Sequence, residues 1–391
     1  MPIFDFSPDF LKELTVWRRD FHQHPELLYD THRTAARVAE LLTDFGLDDV
    51  TTGIGRTGVV GTILGHNGGA GKVIGLRADM DALPLQEIPG KEWISKVDGK
   101  MHACGHDGHT TMLLGTAKYL AENRNFSGTV VVIFQPAEEG GAGAKAMIDD
   151  GLMTRWHIEE VYALHNLPDL PVGEFEICSG PIMASSDDFY LTIHAKGGHA
   201  AMPHEAVDPI FIGSQIVMAL QTLVSRICDP LDAAVLSITT FQAGSATNII
   251  PESATLSGTV RTLSPQAREI IQTRMKEVIN SLCEAHNARA NFTYEIGYPV
   301  TVNHPVQTEL AVSVAAQVAE SPDRVNNQMK PVMGAEDFSF MLEERPGAFI
   351  FAGNGDTASL HNPAYDFNDE LTPYGCAYFI NLVHAALGNE R

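Results

Sequence analysis

The chain is short of positive charge. Only 26 lysines and arginines stand against 49 aspartates and glutamates, a formal net charge of −23. Nucleic acid and anionic membrane surfaces need a basic face on their partner, so neither is expected to bind. An anionic small molecule would need a local cationic anchor working against that field. Cysteine is scarce as well. The five (Cys104, Cys178, Cys228, Cys283 and Cys376) are odd in number and far apart, which argues against a disulfide framework and suits reduced thiols in a cytoplasm. No stretch approaches the roughly eighteen uninterrupted apolar residues of a membrane span. The opening MPIFDFSPDF carries two aspartates and no basic segment, so it does not read as a secretory leader. Internal repeats and low-complexity tracts are missing too. A cytoplasmic protein is the expectation.

What is present describes a globular protein: 391 residues, 44% hydrophobic and 19% charged, too long for one ordinary core. Two domains are expected. Helical periodicity over Phe10–Phe21 and Thr31–Phe45 gives way to strands at Val59–Leu64 and Lys72–Leu76. A helix from Thr110 to Asn123 precedes the continuous apolar run TVVVIF (Thr129–Phe134), the mark of a strand covered on both faces. Ala144–Asp150 reads as helix and Val161–Leu164 as strand. Such alternation implies a mostly parallel sheet with helices on its faces, whose ligands sit beyond the carboxyl ends of the strands.

Near Ser185 the pattern changes. Phe189, Leu191, Ile193 and Ala195 alternate with mostly polar positions, as in a sheet covered on one face. A helix capped by Asp208-Pro209 follows, then strands Ala234–Phe241 and Ala254–Thr262, a helix striped by Ile271, Met275, Val278 and Leu282, and a strand through Phe292, Tyr294 and Ile296. This β-α-β-β-α-β order is that of a ferredoxin-like unit. It reads as an insertion, because helix Leu310–Ala319, buried strand Ala348–Ala352 and helix Pro373–Ala386 resume the α/β pattern. The expected boundaries are 1–184 and 299–391 for an interrupted catalytic domain and 185–298 for the satellite.

Four polar clusters follow strands or open helices: Cys104-Gly105-His106; Glu138-Glu139 in QPAEEGG; His165 in ALHNLP; and His361 in LHNP. Thiolate, imidazole and carboxylate together suit a borderline ion such as Zn²⁺ or Mn²⁺. Taken singly, each cluster also reads as ordinary loop or solvated surface; jointly they map to one edge of one sheet. Paired glutamates fit hydrolysis of an amide, one binding ions while the other moves a proton from water to the leaving nitrogen. A cysteine nucleophile at Cys104 served by His109 and a non-catalytic metal-binding protein are the competing readings. His22 and His24 read as packing or surface residues, His102 and His109 as supports of the loop, and the remaining cysteines as small buried groups.

GLRADMDALP, MHACGHDGHT, QPAEEGG, ALHNLP, GGHAAMPH, GSATNIIP, GTVRT, MGAEDF and LHNP resemble, in that order, the motifs of dinuclear-metal amidohydrolases. That family includes bacterial hippurate hydrolases, N-acyl-amino-acid aminoacylases and plant auxin-conjugate hydrolases, and is related to glutamate carboxypeptidase. The resemblance implies a metallopeptidase-like α/β catalytic domain and a satellite that mediates dimerisation. It implies two divalent ions (Mn²⁺ or Zn²⁺, with Co²⁺ or Ni²⁺ as further occupants in vitro) on Cys104, His106, Glu139, His165 and His361. Glu138 becomes the general base and acid, and Asp79 a residue that orients the metal centre. His199 is implied to reach a partner subunit's site and stabilise the oxyanion, with Asn248 and Arg261 holding the substrate carboxylate. Arg77 stands where the carboxypeptidase relatives have a histidine ligand. The implied activity is cleavage of N-acyl or N-aroyl amino acids by a homodimer or homotetramer, with a dipeptidase or carboxypeptidase as the alternative.

Overall fold

The computed structural model describes residues 6–388; residues 1–5, part of the stretch read for a leader, and 389–391 lie outside them. Two compact units are present. The first runs up to Ile182 and resumes at Val302–Lys330 and from Asp337 onward; the second is Met183–Thr301 with Pro331–Glu336.

In the first unit, strands β1 (Asp49–Ile54), β2 (Gly58–Leu64), β3 (Val73–Asp79), β4 (Thr129–Gln135) and β5 (Glu160–Pro168) belong to an eight-stranded sheet. Its order is β1-β2-β4-β3-β5, then Gly347–Gly355, Phe175–Glu176 and Val325–Asn326. The middle is parallel: β4 with β3, β3 with β5, and β5 with Gly347–Gly355. All seven residues of β4 are buried, as a strand covered on both faces requires. Helices α1 (Pro8–Gln23), α2 (His32–Asp44) and α3 (His106–Glu122) come from the first part of the chain, and Pro305–Val318 and Thr372–Leu387 from the last.

Two expectations shift. The helix expected from Thr110 begins four residues earlier at His106, because Gly105 (φ 89°) turns the chain into it. His165, expected just after its strand, lies within β5 and pairs in register with Phe351.

The second unit has the expected β-α-β-β-α-β order. Its antiparallel sheet runs Ala234–Ala243, Ser253–Thr262, Asp187–His194, Arg289–Ile296. Asp187, Phe189, Leu191 and Ile193 form the buried face of the first strand, with helices Pro209–Thr222 and Pro265–Ala285 contributing to the core beneath it. Pro209–Ile227 is long and apolar enough by composition to cross a membrane, but Ile212, Ile216, Leu220 and Leu223 are buried in this core. Pro331–Glu336 joins the unit through Val332, which bridges Met183 and accepts the Ala184 N–H at 3.1 Å. A ribbon pairs Gly198–His199 with Ile249–Ile250.

Candidate metal centre

The carboxyl ends of the parallel strands of the first unit each deliver chemistry. Asp79 closes β3, Glu138 and Glu139 follow β4, His165 lies in the last half of β5, and His361 follows Gly347–Gly355. Cys104 and His106 flank Gly105 at the start of α3. Donor atoms of Cys104, His106 and His165 lie within 4.8 Å of one another, as do those of Cys104, Glu139 and His361, and those of His106, Glu138 and Glu139. Cys104 belongs to two of these groups. The loop carrying His361 is tied to the cysteine loop by its main-chain N–H, which donates to Ala103 at 2.8 Å.

Hydrogen bonds fix which imidazole nitrogen faces the cluster. His106 donates Nδ1–H to the Asp81 carbonyl at 2.8 Å, and His165 donates Nδ1–H to the Asn166 carbonyl at 2.7 Å. Each therefore presents an Nε2 lone pair inward, the arrangement that orients a ligating histidine. His165 Nε2 is 3.5 Å from Cys104 Sγ. His106 Nε2 is buried without a hydrogen-bond partner, and so is Glu139 Oε1, although His361 Nε2 approaches it to 3.2 Å. Orphaned buried acceptors are costly, and lone pairs converging beside a thiol and a carboxylate are the donor set that a divalent cation satisfies. Burial, with Glu139, Glu138 and Asp79 nearby, pushes the Cys104 thiol well above its usual range. A thiolate there requires a compensating cation.

Burial disfavours charge on Asp79, yet His106, Arg77 and His109 together hold its carboxyl well below the usual range. Arg77 Nη1 donates to Asp79 Oδ2 at 2.8 Å, and His109 donates Nδ1–H to Oδ1 at 2.7 Å. Arg77 also donates to Gln135 at 2.8 Å and Asp337 at 3.0 Å, so this fully buried guanidinium is committed to framing the site. His109 has no nitrogen to spare. Its Nε2 accepts the Asn166 N–H at 3.0 Å, which removes it as a base for Cys104. Asn166 further donates to the Cys104 carbonyl at 2.6 Å and accepts from Tyr365 at 2.8 Å. A Cβ at Gly105 would meet Asn166 Nδ2 at 2.3 Å, so only glycine fits there.

Several structural roles escape sequence reasoning. Asp81 and Asn166 bind the cluster residues directly, but their partners are remote in sequence; His109, read as a support of the loop, is bonded to Asp79 and Asn166. For Asp81 a signal exists: Asp79 and Asp81 are two apart, the period that returns an extended chain to the same side. His22, expected at a surface or in packing, is fully buried between Asp107 (2.8 Å) and Glu87 (3.1 Å). His24 bonds back to the Asp20 carbonyl at 2.8 Å, and His102 is buried with both nitrogens unpartnered. All five cysteines are free and buried.

His199, Asn248 and Arg261 belong to the second unit. His199 pairs with Ile249 in the ribbon, and the Asn248 carbonyl accepts the Ala200 N–H at 3.1 Å, so the first two are neighbours there. Arg261 lies opposite Val235 in its sheet, half-buried.

The family model described as Peptidase family M20/M25/M40 matches residues 75–385. A hippurate hydrolase of Campylobacter jejuni is 41% identical over 96% of both chains. A thermostable carboxypeptidase of Saccharolobus solfataricus is 42% identical, again over 96% of each. The crystal structure of a dinuclear metal binding peptidase of the M20 family from Bacillus subtilis superposes with a TM-score of 0.84 at 34% identity, covering 98% of this chain and all of that one.

Proposed function

The chain belongs to peptidase family M20/M25/M40, a hydrolase of amide bonds, and we propose that it cleaves N-acyl or N-aroyl amino acids to a carboxylic acid and a free amino acid. The observation that carries this reading is the convergence of Cys104, His106, Glu139, His165 and His361 at one sheet edge, with Glu138 among them. Those five residues would hold two divalent ions. Mixed thiolate, imidazole and carboxylate donors favour Mn²⁺ or Zn²⁺, with Co²⁺ or Ni²⁺ able to replace them in vitro. Such ions supply Lewis-acid polarisation of the amide carbonyl and a lowered pKa for the attacking water.

The protein's own groups do the rest. Glu138 takes a proton from the attacking water and returns it to the amide nitrogen, so that the C–N bond breaks to a neutral amine. Asp79, pinned by Arg77 and His109, keeps negative charge against His106 and holds the cluster in register. Asn248 and Arg261 anchor the substrate carboxylate, and Arg261 is the local cation that works against the chain's net negative field. His199, contributed by the neighbouring subunit of a homodimer or homotetramer, stabilises the oxyanion. In support of that role, the Ala201 N–H donates to His199 Nδ1 at 3.0 Å, which leaves the proton on the exposed ring at Nε2 as a donor.

The test is a panel of N-acetyl, N-benzoyl and long-chain N-acyl amino acids, assayed on metal-reconstituted enzyme in wild type and Glu138→Gln. The variant should bind metal normally and lose kcat by about three or more orders of magnitude, because base and acid disappear together. Near-normal turnover would sink the role of Glu138. The carboxypeptidase relative supports a second reading, cleavage of peptides from the carboxyl end. Faster turnover of a free-amine dipeptide than of hippurate would favour it.

A further inference from the structure

Asp81 is fully buried, two residues past Asp79, in the segment that leaves β3. Its Oδ1 accepts the main-chain N–H of Glu138 at 3.0 Å, and its Oδ2 accepts that of Glu139 at 3.1 Å. Its own carbonyl accepts Nδ1–H of His106 at 2.8 Å. One residue thus holds the two glutamates through its side chain and a histidine through its backbone. The glutamate turn needs holding. Ala137 (φ 56°) and Ala142 (φ 54°) adopt left-handed backbone without being glycine, conformations that persist only where surrounding bonds enforce them.

We infer that Asp81 is a positioning residue for the hydrolytic site, setting the directions of Glu138, Glu139 and His106 from behind without touching substrate. The inference rests on the roles proposed above for those three. Its mechanism is geometric. Two adjacent glutamates must serve different ends, one holding cations and one moving a proton. A single carboxylate gripping both N–H groups fixes the peptide between them and so fixes where each side chain leaves the turn. The same residue sets His106 to the tautomer with a free Nε2.

The experiment compares full-length wild type, Asp81→Asn and Asp81→Glu. Asn keeps the shape and the backbone bond to His106 but replaces one of the two acceptor oxygens with a donor. Glu keeps the buried charge and moves the carboxylate by one methylene. Co²⁺ alone is the first probe, titrated calorimetrically and by its visible spectrum, with circular dichroism as the check on folding. Steady-state kinetics on the acyl-amino-acid panel is the second.

Both variants should bind Co²⁺ about 10–100-fold more weakly, with a changed ligand-field spectrum. Both should lose kcat by about a hundredfold with KM within threefold, since the substrate anchors are untouched. Wild-type Co²⁺ affinity and spectrum in folded Asp81→Asn would overturn the inference. So would recovery of wild-type behaviour in Asp81→Glu, which would mean that buried charge alone matters. If the wild type binds Co²⁺ but hydrolyses nothing in the panel, the substrate reading fails while the Co²⁺ comparison still judges Asp81. If the wild type binds no Co²⁺, both readings fall.

Discussion

His22 shows how much of a residue's behaviour is set by partners that local sequence does not display. Nothing in RRDFHQHPEL points to Glu87 or Asp107, yet all three meet in the interior beside buried Arg18 and His102. Burial alone would lower the His22 pKa; hydrogen bonds and charge from Asp107 and Glu87 outweigh it and raise the value to about 9. The folded protein therefore binds this proton more tightly than the unfolded chain, whose histidine titrates near 6.5. The stability gained is complete below about 6.5 and lost as pH rises through about 9. Denaturant unfolding of wild type and His22→Gln from pH 6 to 10 should show a stability difference that shrinks across that window. A difference independent of pH would mean that His22 titrates alike in the folded and unfolded chain. The metal-ligand candidates stood out in sequence for the opposite reason: cysteine, histidine and paired glutamates each sit where a strand ends or a helix opens, and together they fall at one edge of one sheet. Asp81 and Asn166 are common polar residues whose geometry only the fold assembles.

At the scale of elements, what the sequence discloses follows burial. β4 and Gly347–Gly355 are legible because their residues are nearly all apolar, and the satellite's first strand because its faces alternate. β1 is not, since DVTTGI is a mostly exposed edge strand whose pairing with β2 supplies what its composition lacks. Phe175–Glu176 and Val325–Asn326 are two-residue pairings too short for any periodicity. Asp187 is the exception within a legible strand, a carboxylate on the apolar face. It accepts Arg268 Nε at 2.8 Å, the Tyr294 hydroxyl at 2.7 Å and the Gly297 N–H at 2.9 Å, joining the start of one strand to a helix and to the last strand. Asp187→Ala strands three donors at once and should cost the second unit about 3 kcal/mol, read as a lower denaturation midpoint. A loss below about 0.5 kcal/mol would show that water replaces the carboxylate without penalty.

At the scale of the whole molecule, the metal centre and the satellite should respond differently to a chelator. Ligand bound only to the folded state stabilises it by about 4 kcal/mol at a thousandfold excess over Kd, so chelation should lower the melting temperature by roughly 10 °C. Hydrogen exchange should locate the loss at the carboxyl ends of β3, β4 and β5 and in the first turn of α3, leaving the antiparallel sheet of the second unit protected. Activity should vanish with the metal and return with Mn²⁺ or Zn²⁺. Uniform deprotection would place the ions elsewhere, and activity that survives chelation would remove them from the reaction.

The parallel pairing of β5 with Gly347–Gly355 also has a consequence for biosynthesis. On the ribosome, β5 emerges with one of its final neighbours, β3, already made, and the other still most of two hundred codons away. At about 5–20 residues per second the open edge waits roughly 10–40 s, time enough for the second unit, almost continuous in sequence, to close first. His361 is made last of the five proposed ligands. The nascent protein can collect a thiol, two imidazoles and a carboxylate, but the full set exists only after the late strand has slotted into the sheet. Metal loading thereby becomes a closing act of translation, and a chain truncated before that strand should leave the ribosome with a folded satellite and a half-built site.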